Sequence, residues 1–353
     1  MIRKFFLGLG LLWGGMLPPT ASAQSFALLD PSAIAARVAG PATGIAWEKI
    51  FSSADQAAAQ SPKAIALIHV EGTLPHLGIY DQSFESLKDM EAILDLALAY
   101  RVSGKPVYLR ACQSYYDGWL SVYHPSFNPI DETRFDSFIL GYDLVGAKLA
   151  APTQQKMKLF LRDMAKGYLE GRNITMEGTR TNNWQSHRVK LAALAAFALG
   201  DADLISRAKE AFQKQLEVNL NADGSTIDFT ERDAIHYTVY DLEPLALAAL
   251  AAKAHGQDWL HLTNSKGASL EKALEWLEPF AEGKESHIEF VHSTVAFDAK
   301  RREAGVKGFS GSWDPKTSGL LYNLAARLDG RWTQLAKSLG GAPTWLECLE
   351  VGK

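Results

Sequence analysis

Residues 187–218 read HRVKLAALAAFALGDADLISRAKEAFQKQLEV. The first part, His187 to Leu199, is rich in alanine and leucine and stops at Gly200, a residue type that commonly ends helices. A break of three residues, Asp201-Ala202-Asp203, leads into a second helical stretch that runs to about Val218. The unit is helix, short break, helix, and it recurs along the chain. Ser86 to Val102 carries Leu87, Ile93, Leu94, Leu96, Leu98 and Tyr100 and ends at Ser103-Gly104. Glu132 to Ala147 is aromatic-rich and reads as helix. Gln154 to Leu169 sets Met157, Leu159, Phe160, Met164 and Tyr168 mainly three and four apart, the spacing of one helix face. Ala234 to Ala254 and Leu270 to Ala281 are further helices. Two short runs, Ala64 to Val70 and Val107 to Arg110, look β-like and are expected as buried extended segments. Helical hairpins packed side by side make a bundle, a solenoid or a closed α/α toroid. No repeat is strict enough to choose among them.

The ends and the composition bound the rest. Met1-Ile2-Arg3-Lys4 is a basic start, Phe5 to Met16 is apolar, and Ala21-Ser22-Ala23 precedes Gln24. This is the layout of a cleaved export signal over residues 1–23, with a single domain expected over 24–353. The apolar run is too short to span a bilayer, which takes roughly 20 residues. A periplasmic protein that does not stay on the membrane after signal cleavage is expected. Loss of Arg3 and Lys4 leaves 34 basic against 40 acidic residues, a net charge of −6. That balance argues against nucleic acid as a partner. Cys112 and Cys348 are the two cysteines; an oxidising compartment permits pairing, and two thiols cannot build a cysteine-rich zinc site.

Common catalytic signatures are missing: no H-E-x-x-H, no Walker loop, no nucleotide-type glycine loop, no G-x-S-x-G. The polar and aromatic residues concentrate instead in two segments. In Thr181-Asn182-Asn183-Trp184-Gln185-Ser186-His187-Arg188, Asn183 is a credible N-cap and His187 lies one turn further up the same side. An amide and an imidazole at a helix N-terminus suit an anion; the bland reading is that Asn183 only caps and His187 only packs. In Thr230-Glu231-Arg232-Asp233-Ala234-Ile235-His236-Tyr237-Thr238-Val239-Tyr240, the residues Arg232, His236 and Tyr240 are each four apart and form a column on one face. Ile235, Val239, Leu242 and Leu245 supply a separate apolar stripe. Pro244 cannot donate to the carbonyl of Tyr240, so a kink is expected there.

These residue types fit β-elimination on a uronic acid. The proton at C5 is weakly acidic because its loss pushes charge onto the carboxylate. Amide and imidazole donors on that carboxylate lower the cost as an oxyanion hole does. A tyrosine can remove the C5 proton and protonate the leaving O4. Its ordinary pKa near 10 is high for a base, and a nearby arginine lowers it.

Asn182-Asn183-Trp184-x-x-His187, followed by Arg232-x-x-x-His236-Tyr237-x-x-Tyr240-x-Leu242-x-Pro244-Leu245, resembles the paired active-site segments of alginate-lyase-type polysaccharide lyases. Ser114-Tyr115-Tyr116-Asp117-Gly118-Trp119 and Phe127-Asn128-Pro129 upstream are similar to that group as well. So are His287-x-Glu289-Phe290-Val291-x-Ser293 and Phe297-Asp298 downstream. The resemblance implies an all-α fold, an incomplete α/α toroid, acting on an anionic polyuronate with no cofactor and no metal. It implies Tyr240 as base and acid, Asn183 and His187 as carboxylate neutralisers, Arg232 as electrostatic support, and His236 as a competitor for the histidine role. Asn182, Trp184, Arg188, Tyr116, Trp119, Tyr237 and Arg301 are the candidate substrate contacts, Arg301 for a second sugar carboxylate, although a charged pair such as Arg301-Arg302 is usually just solvated. In family 5 alginate lyases a histidine directly follows the asparagine pair. Here Trp184 does, and the histidine comes three places later, which looks closer to family 38, a family that includes glucuronan and alginate lyases. Glucuronan or mannuronate-rich alginate is the expected substrate, since H5 and O4 share a ring face in both sugars and one tyrosine can serve both. Two other readings compete. A hydrolase would need a carboxyl pair, with Asp117, Asp228, Glu231 and Asp241 as candidates. A non-catalytic binding protein would use Trp119, Tyr116 and Trp184 as stacking platforms.

Overall fold

The structure, a computed structural model, describes residues 25–39 and 47–350. The expected export signal and its cleavage site lie outside the described residues. Among the described residues the chain is helical, with three isolated antiparallel bridges and no extended strand. In chain order the α-helices are α1 (Pro31–Ala39), α2 (Trp47–Ala58), α3 (Tyr80–Ser103), α4 (Pro106–Val122), α5 (Phe135–Val145), α6 (Ala151–Leu169), α7 (Asn183–Leu199), α8 (Ala202–Asn219), α9 (Ile227–Arg232), α10 (Ile235–Ala254), α11 (Leu270–Ala281), α12 (Ala296–Glu303), α13 (Gly319–Leu328), α14 (Thr333–Leu339) and α15 (Thr344–Glu347).

The helices form two layers. Helices α3, α5, α7, α10 and α13 pack in that order along an inner arc, backed by α2, α4, α6, α8 and α11 outside. This is the incomplete α/α toroid expected from the sequence. The layering follows from side-chain distribution. Helix α7 buries nearly its whole circumference, Lys190 included, as an inner helix must. It and α10 are rich in alanine on their facing turns, so their backbones approach closely. The outer α8 buries only Leu204, Ala208, Phe212 and Leu216 among its apolar side chains, one stripe at a spacing of four. Gly104 and Gly200 end α3 and α7 in left-handed conformation, as their positions in the sequence suggest.

Both β-like expectations fail. Val107 to Arg110 lies inside α4, because Pro106 at the first helical turn pre-sets a helical φ and starts the helix. Residues 64–70 run as an irregular segment. Its backbone is satisfied by side chains rather than by a neighbouring strand: Asp131 accepts from the N–H of Val70 and Glu71 at 2.7 and 2.8 Å. Ser83 Oγ accepts from His69 N–H at 3.0 Å. Cys112 and Cys348 are both buried and unbonded to each other. No described helix is long and apolar enough to cross a membrane.

Candidate active site

Two cavities meet at Tyr240. One is a cleft of about 650 Å³ over the N-terminal ends of α7 and α10, walled by residues 70–75 on one side and by α12 and Phe309 on the other. The second, about 690 Å³, lies on the axis of the arc between α3, α5, α7, α10 and α13. Asn182, Asn183, Trp184, Arg232, His236, Tyr237 and Arg301 line the cleft. His187 lines the axial cavity with Lys190 and Glu243.

Local structure explains the first segment, with one correction. The N-cap of α7 is Asn182, whose side chain accepts from Trp184 N–H at 3.2 Å. Asn183 is the first helical residue. Its backbone N–H and its side-chain Nδ2 both donate to Asp228, at 2.6 and 2.7 Å. Asp228 is fully buried, and it also pairs with Arg232 Nε at 3.4 Å. One carboxylate therefore ties the asparagine of one segment to the arginine of the other.

The column of Arg232, His236 and Tyr240 is interrupted. Asp233 takes a left-handed conformation, φ 49°, and ends α9 after Arg232. Helix α10 starts afresh at Ile235, and the Glu289 carboxylate accepts the N–H groups of Ile235 and His236 at 2.9 and 3.1 Å. Arg232 turns under the cleft floor. Its guanidinium sits 3.8 Å from the centre of the Tyr237 ring and donates to Asp298 at 2.5 Å. Arg301, from α12, pairs with the same Asp298 at 3.6 Å and donates to the Tyr237 hydroxyl at 2.7 Å. It lies over the faces of Phe297 and Phe309. Asp298 thus holds two guanidinium groups below one cleft.

The titratable groups follow from this packing. Burial, assisted by Arg301 and Arg232, pushes His236 down to about 4, so its ring is neutral near pH 7. Burial also lowers His187 well below the ordinary histidine range, with Lys190 acting in the same direction. Burial raises the Tyr240 phenol above 10; Tyr237 and Glu243 add to the rise and Arg301 opposes it. Arg232, expected to support Tyr240, lies over the neighbouring Tyr237 ring and pairs with Asp228 and Asp298. Burial lifts Glu289 to about 7 despite its two backbone donors.

Three proposed substrate contacts are also corrected. Tyr116 is wholly buried and donates to the Phe138 carbonyl at 2.8 Å. Trp119 is buried and donates to Asp89 at 2.8 Å. Both face inward because α4 packs its aromatic side against α3 and α5. Arg188 is 2% exposed and donates to the carbonyl and hydroxyl of Thr179, pinning the turn before α7. Of the candidate hydrolase carboxylates, Asp228 and Asp241 are fully buried and hydrogen-bonded. Asp117 is bound to Gln113 and Thr153 away from the cleft, which Glu231 alone of the four lines. The roles of Asp298 and Glu289 escaped sequence reasoning, although both sit in motifs that carried the resemblance. The groups they tie to the site, Arg232 for Asp298 and the start of α10 for Glu289, are more than 50 residues away in the chain, which no local pattern reports.

Comparison with known proteins agrees with this geometry. The family model described as Alginate lyase matches residues 40–287. An alginate lyase from Bacteroides ovatus has a similar structure, with a TM-score of 0.67 at 16% identity, covering 92% of this chain and 97% of that one. Alginate lyase A1-III from Sphingomonas species A1 gives 0.56 at 19% identity, covering 73% and 80%. A histidine-to-alanine variant of A1-III complexed with tetrasaccharide gives 0.56 at 17%, covering 83% and 94%. At these identities the likeness speaks for the fold, the α/α toroid. No curated protein matches the chain. The family match spans well over half of the chain, and with the toroid and its cleft it establishes that this protein belongs to the alginate lyase family and is a polysaccharide lyase.

Proposed function

We propose that the protein cleaves a 1,4-linked polyuronate, glucuronan or mannuronate-rich alginate, by syn β-elimination, leaving a 4,5-unsaturated uronate end. The observation that carries this reading is the position of Tyr240 at the base of a cleft lined by Asn183, His236 and Arg301. The substrate carboxylate lies toward Asn183, with Asn182 beside it, and toward His236, whose proton affinity rises when an anion arrives. These groups bear the charge that develops as C5 loses its proton. Arg301 favours the phenolate of Tyr240, which takes the C5 proton and delivers it to O4. The C5–H and C4–O bonds break, a C4–C5 double bond forms, and the proton ends on the leaving sugar. Trp184 and Tyr237 flank the sugar rings.

The placement of His187 behind Tyr240, on the axial cavity, supports the syn course. Anti elimination on guluronate needs His187 or His236 as a base on the opposite ring face; His187 is not among the cleft-lining residues, and His236 is taken up by the substrate carboxylate in this reading. The similar A1-III variant complexed with tetrasaccharide makes an oligosaccharide a natural occupant of a cleft this size. The export signal assigns the activity to the periplasm, which the amino-terminal sequence of the mature protein checks.

The test is ultraviolet absorbance of the unsaturated product on polyglucuronate, polymannuronate and polyguluronate, with wild type and Tyr240→Phe. Turnover on one of the first two and loss of at least about 10³-fold in the variant are expected, with oligosaccharide binding retained. Fastest turnover on polyguluronate, or an active Tyr240→Phe enzyme, overturns the reading.

A further inference from the structure

Pro244 lies inside α10, four residues after Tyr240. Proline has no N–H, so the Tyr240 carbonyl loses its regular helical donor at the residue placed to transfer protons. His187 of the neighbouring α7 packs against this turn. Its ring centre is 4.4 Å from that of Tyr240, and the side chain is 3% exposed.

The far side of the imidazole is held by a short chain of polar groups. His187 Nδ1 is 2.8 Å from Thr133 Oγ1. Lys190 Nζ donates to that same Oγ1 at 3.0 Å, to the Thr133 carbonyl at 2.7 Å and to Asp136 at 2.6 Å. An ammonium only donates, so Thr133 Oγ1 accepts from Lys190, and its own proton is available to His187 Nδ1. With the Thr133 proton directed at Nδ1, the neutral ring carries its own proton on Nε2. Nε2 is buried and has no hydrogen-bond partner, a costly state for a donor in a packed interior. The ring packs on the Tyr240 turn, and the Tyr240 backbone favours the protonated imidazole, as a carbonyl does and an N–H does not.

We propose that His187 is a positioning residue for Tyr240: its Nε2–H serves the Tyr240 carbonyl that Pro244 leaves without a helical donor, and Thr133 with Lys190 fixes the tautomer that makes it a donor. The histidine of the first segment therefore acts on the protein backbone and not on the sugar. The proline gives the proton-transfer residue a backbone joint, and the histidine locks it. The inference rests on the reading of Tyr240 as the proton-transfer group.

The proline makes the inference testable. Pro244→Ala restores an N–H to the Tyr240 carbonyl and so makes the histidine dispensable. His187→Leu is expected to lower kcat by about 10- to 100-fold, the cost of a small misplacement of a reacting group, with KM within about twofold. The double variant His187→Leu/Pro244→Ala is expected to recover most of that loss relative to Pro244→Ala. Thr133→Ser keeps the hydroxyl and is expected to hold kcat near wild type, whereas Thr133→Val lowers it. Should His187→Leu not yield folded protein, Thr133→Val alone and with Pro244→Ala carries the same test. A double variant as slow as the single, or a His187→Leu enzyme that loses KM rather than kcat, overturns the inference in favour of direct substrate contact. Tyr240→Phe, assayed alongside, separates the two failures. If it retains turnover the proton-transfer reading falls; if it is inactive and no rescue occurs, only the positioning role falls.

Discussion

Replacing Asp228 by asparagine takes away one acceptor from a carboxylate that uses both oxygens. Oδ2 accepts the Asn183 N–H and Oδ1 accepts Asn183 Nδ2, while Arg232 Nε pairs at 3.4 Å. An amide in the same place offers one oxygen and one NH2 group, so whichever way it turns a donor faces a donor. A buried donor left unsatisfied costs about 1–3 kcal/mol. Removing the partner of a buried guanidinium costs about 3–5 kcal/mol when nothing else neutralises it. Here Asp298 stays within 2.5 Å of Arg232, which retains most of that term. Burial also holds the Asp228 carboxyl above its ordinary value, so part of its desolvation penalty is returned on substitution. The net expectation is a loss of about 2–3 kcal/mol, which for a protein of this size is a fall of roughly 3–4 °C in Tm. The catalytic effect is separate. Asn183 loses the anchor that aims its amide, and a misdirected donor of this type costs about 10²-fold or more in kcat. Thermal unfolding by circular dichroism and the ultraviolet lyase assay measure the two effects on one preparation. A Tm within about 1 °C of wild type together with unchanged kcat would refute the idea that Asp228 joins the two halves of the site.

Two other outcomes follow from the same geometry. Burial holds the Tyr240 phenol above its ordinary value in the free enzyme, so its phenolate fraction grows tenfold per pH unit below that value. His236 at about 4 and Glu289 at about 7 have largely titrated by pH ~8. The logarithm of kcat/KM is therefore expected to climb with a slope near +1 between roughly pH 8 and 9.5; a flat or falling profile there contradicts a phenolate base. Gly167, in α6, leaves no room for a side chain: a Cβ would stand 2.0 Å from the Phe127 ring, which itself sits on a residue with φ 60°. Gly167→Ala is expected to lose about 1–3 kcal/mol through overpacking despite alanine's better helix propensity, read as a lower Tm, and an unchanged or raised Tm contradicts the packing described.

Much of the fold was legible because helix signals are local. Alanine and leucine periodicity, with Gly104 and Gly200 as stops, located α3, α5, α6, α7, α8, α10 and α11 within about six residues, though not α2, α4 or α13. The two misread segments show where locality ends. Val107 to Arg110 has β-branched and aromatic residues that favour a strand, yet Pro106 and the packing against α3 make it helix. Residues 64–70 have a strand's composition, but the available acceptors are the side chains of Asp131 and Ser83 instead of a second strand.

The candidate site divides the same way. Residue types and short spacings in the sequence alone pointed to elimination chemistry between Asn182 and Tyr240, because amide, imidazole, guanidinium and phenol have few other reasons to gather there. They could not tell which side of Tyr240 each histidine occupies. That depends on Asp233 breaking the helix, so that Arg232 turns under Tyr237 and His236 faces the cleft. It depends equally on α7 lying against α10, so that His187 meets the back of Tyr240. Nor could spacing identify Asp298, which gathers Arg232 and Arg301 from segments over 60 residues apart. The sequence by itself determined the helices and the kinds of chemical groups available, since both are written in near neighbours. Only the tertiary structure decided which groups share a cavity, since burial and charge pairing act between residues that are distant along the chain.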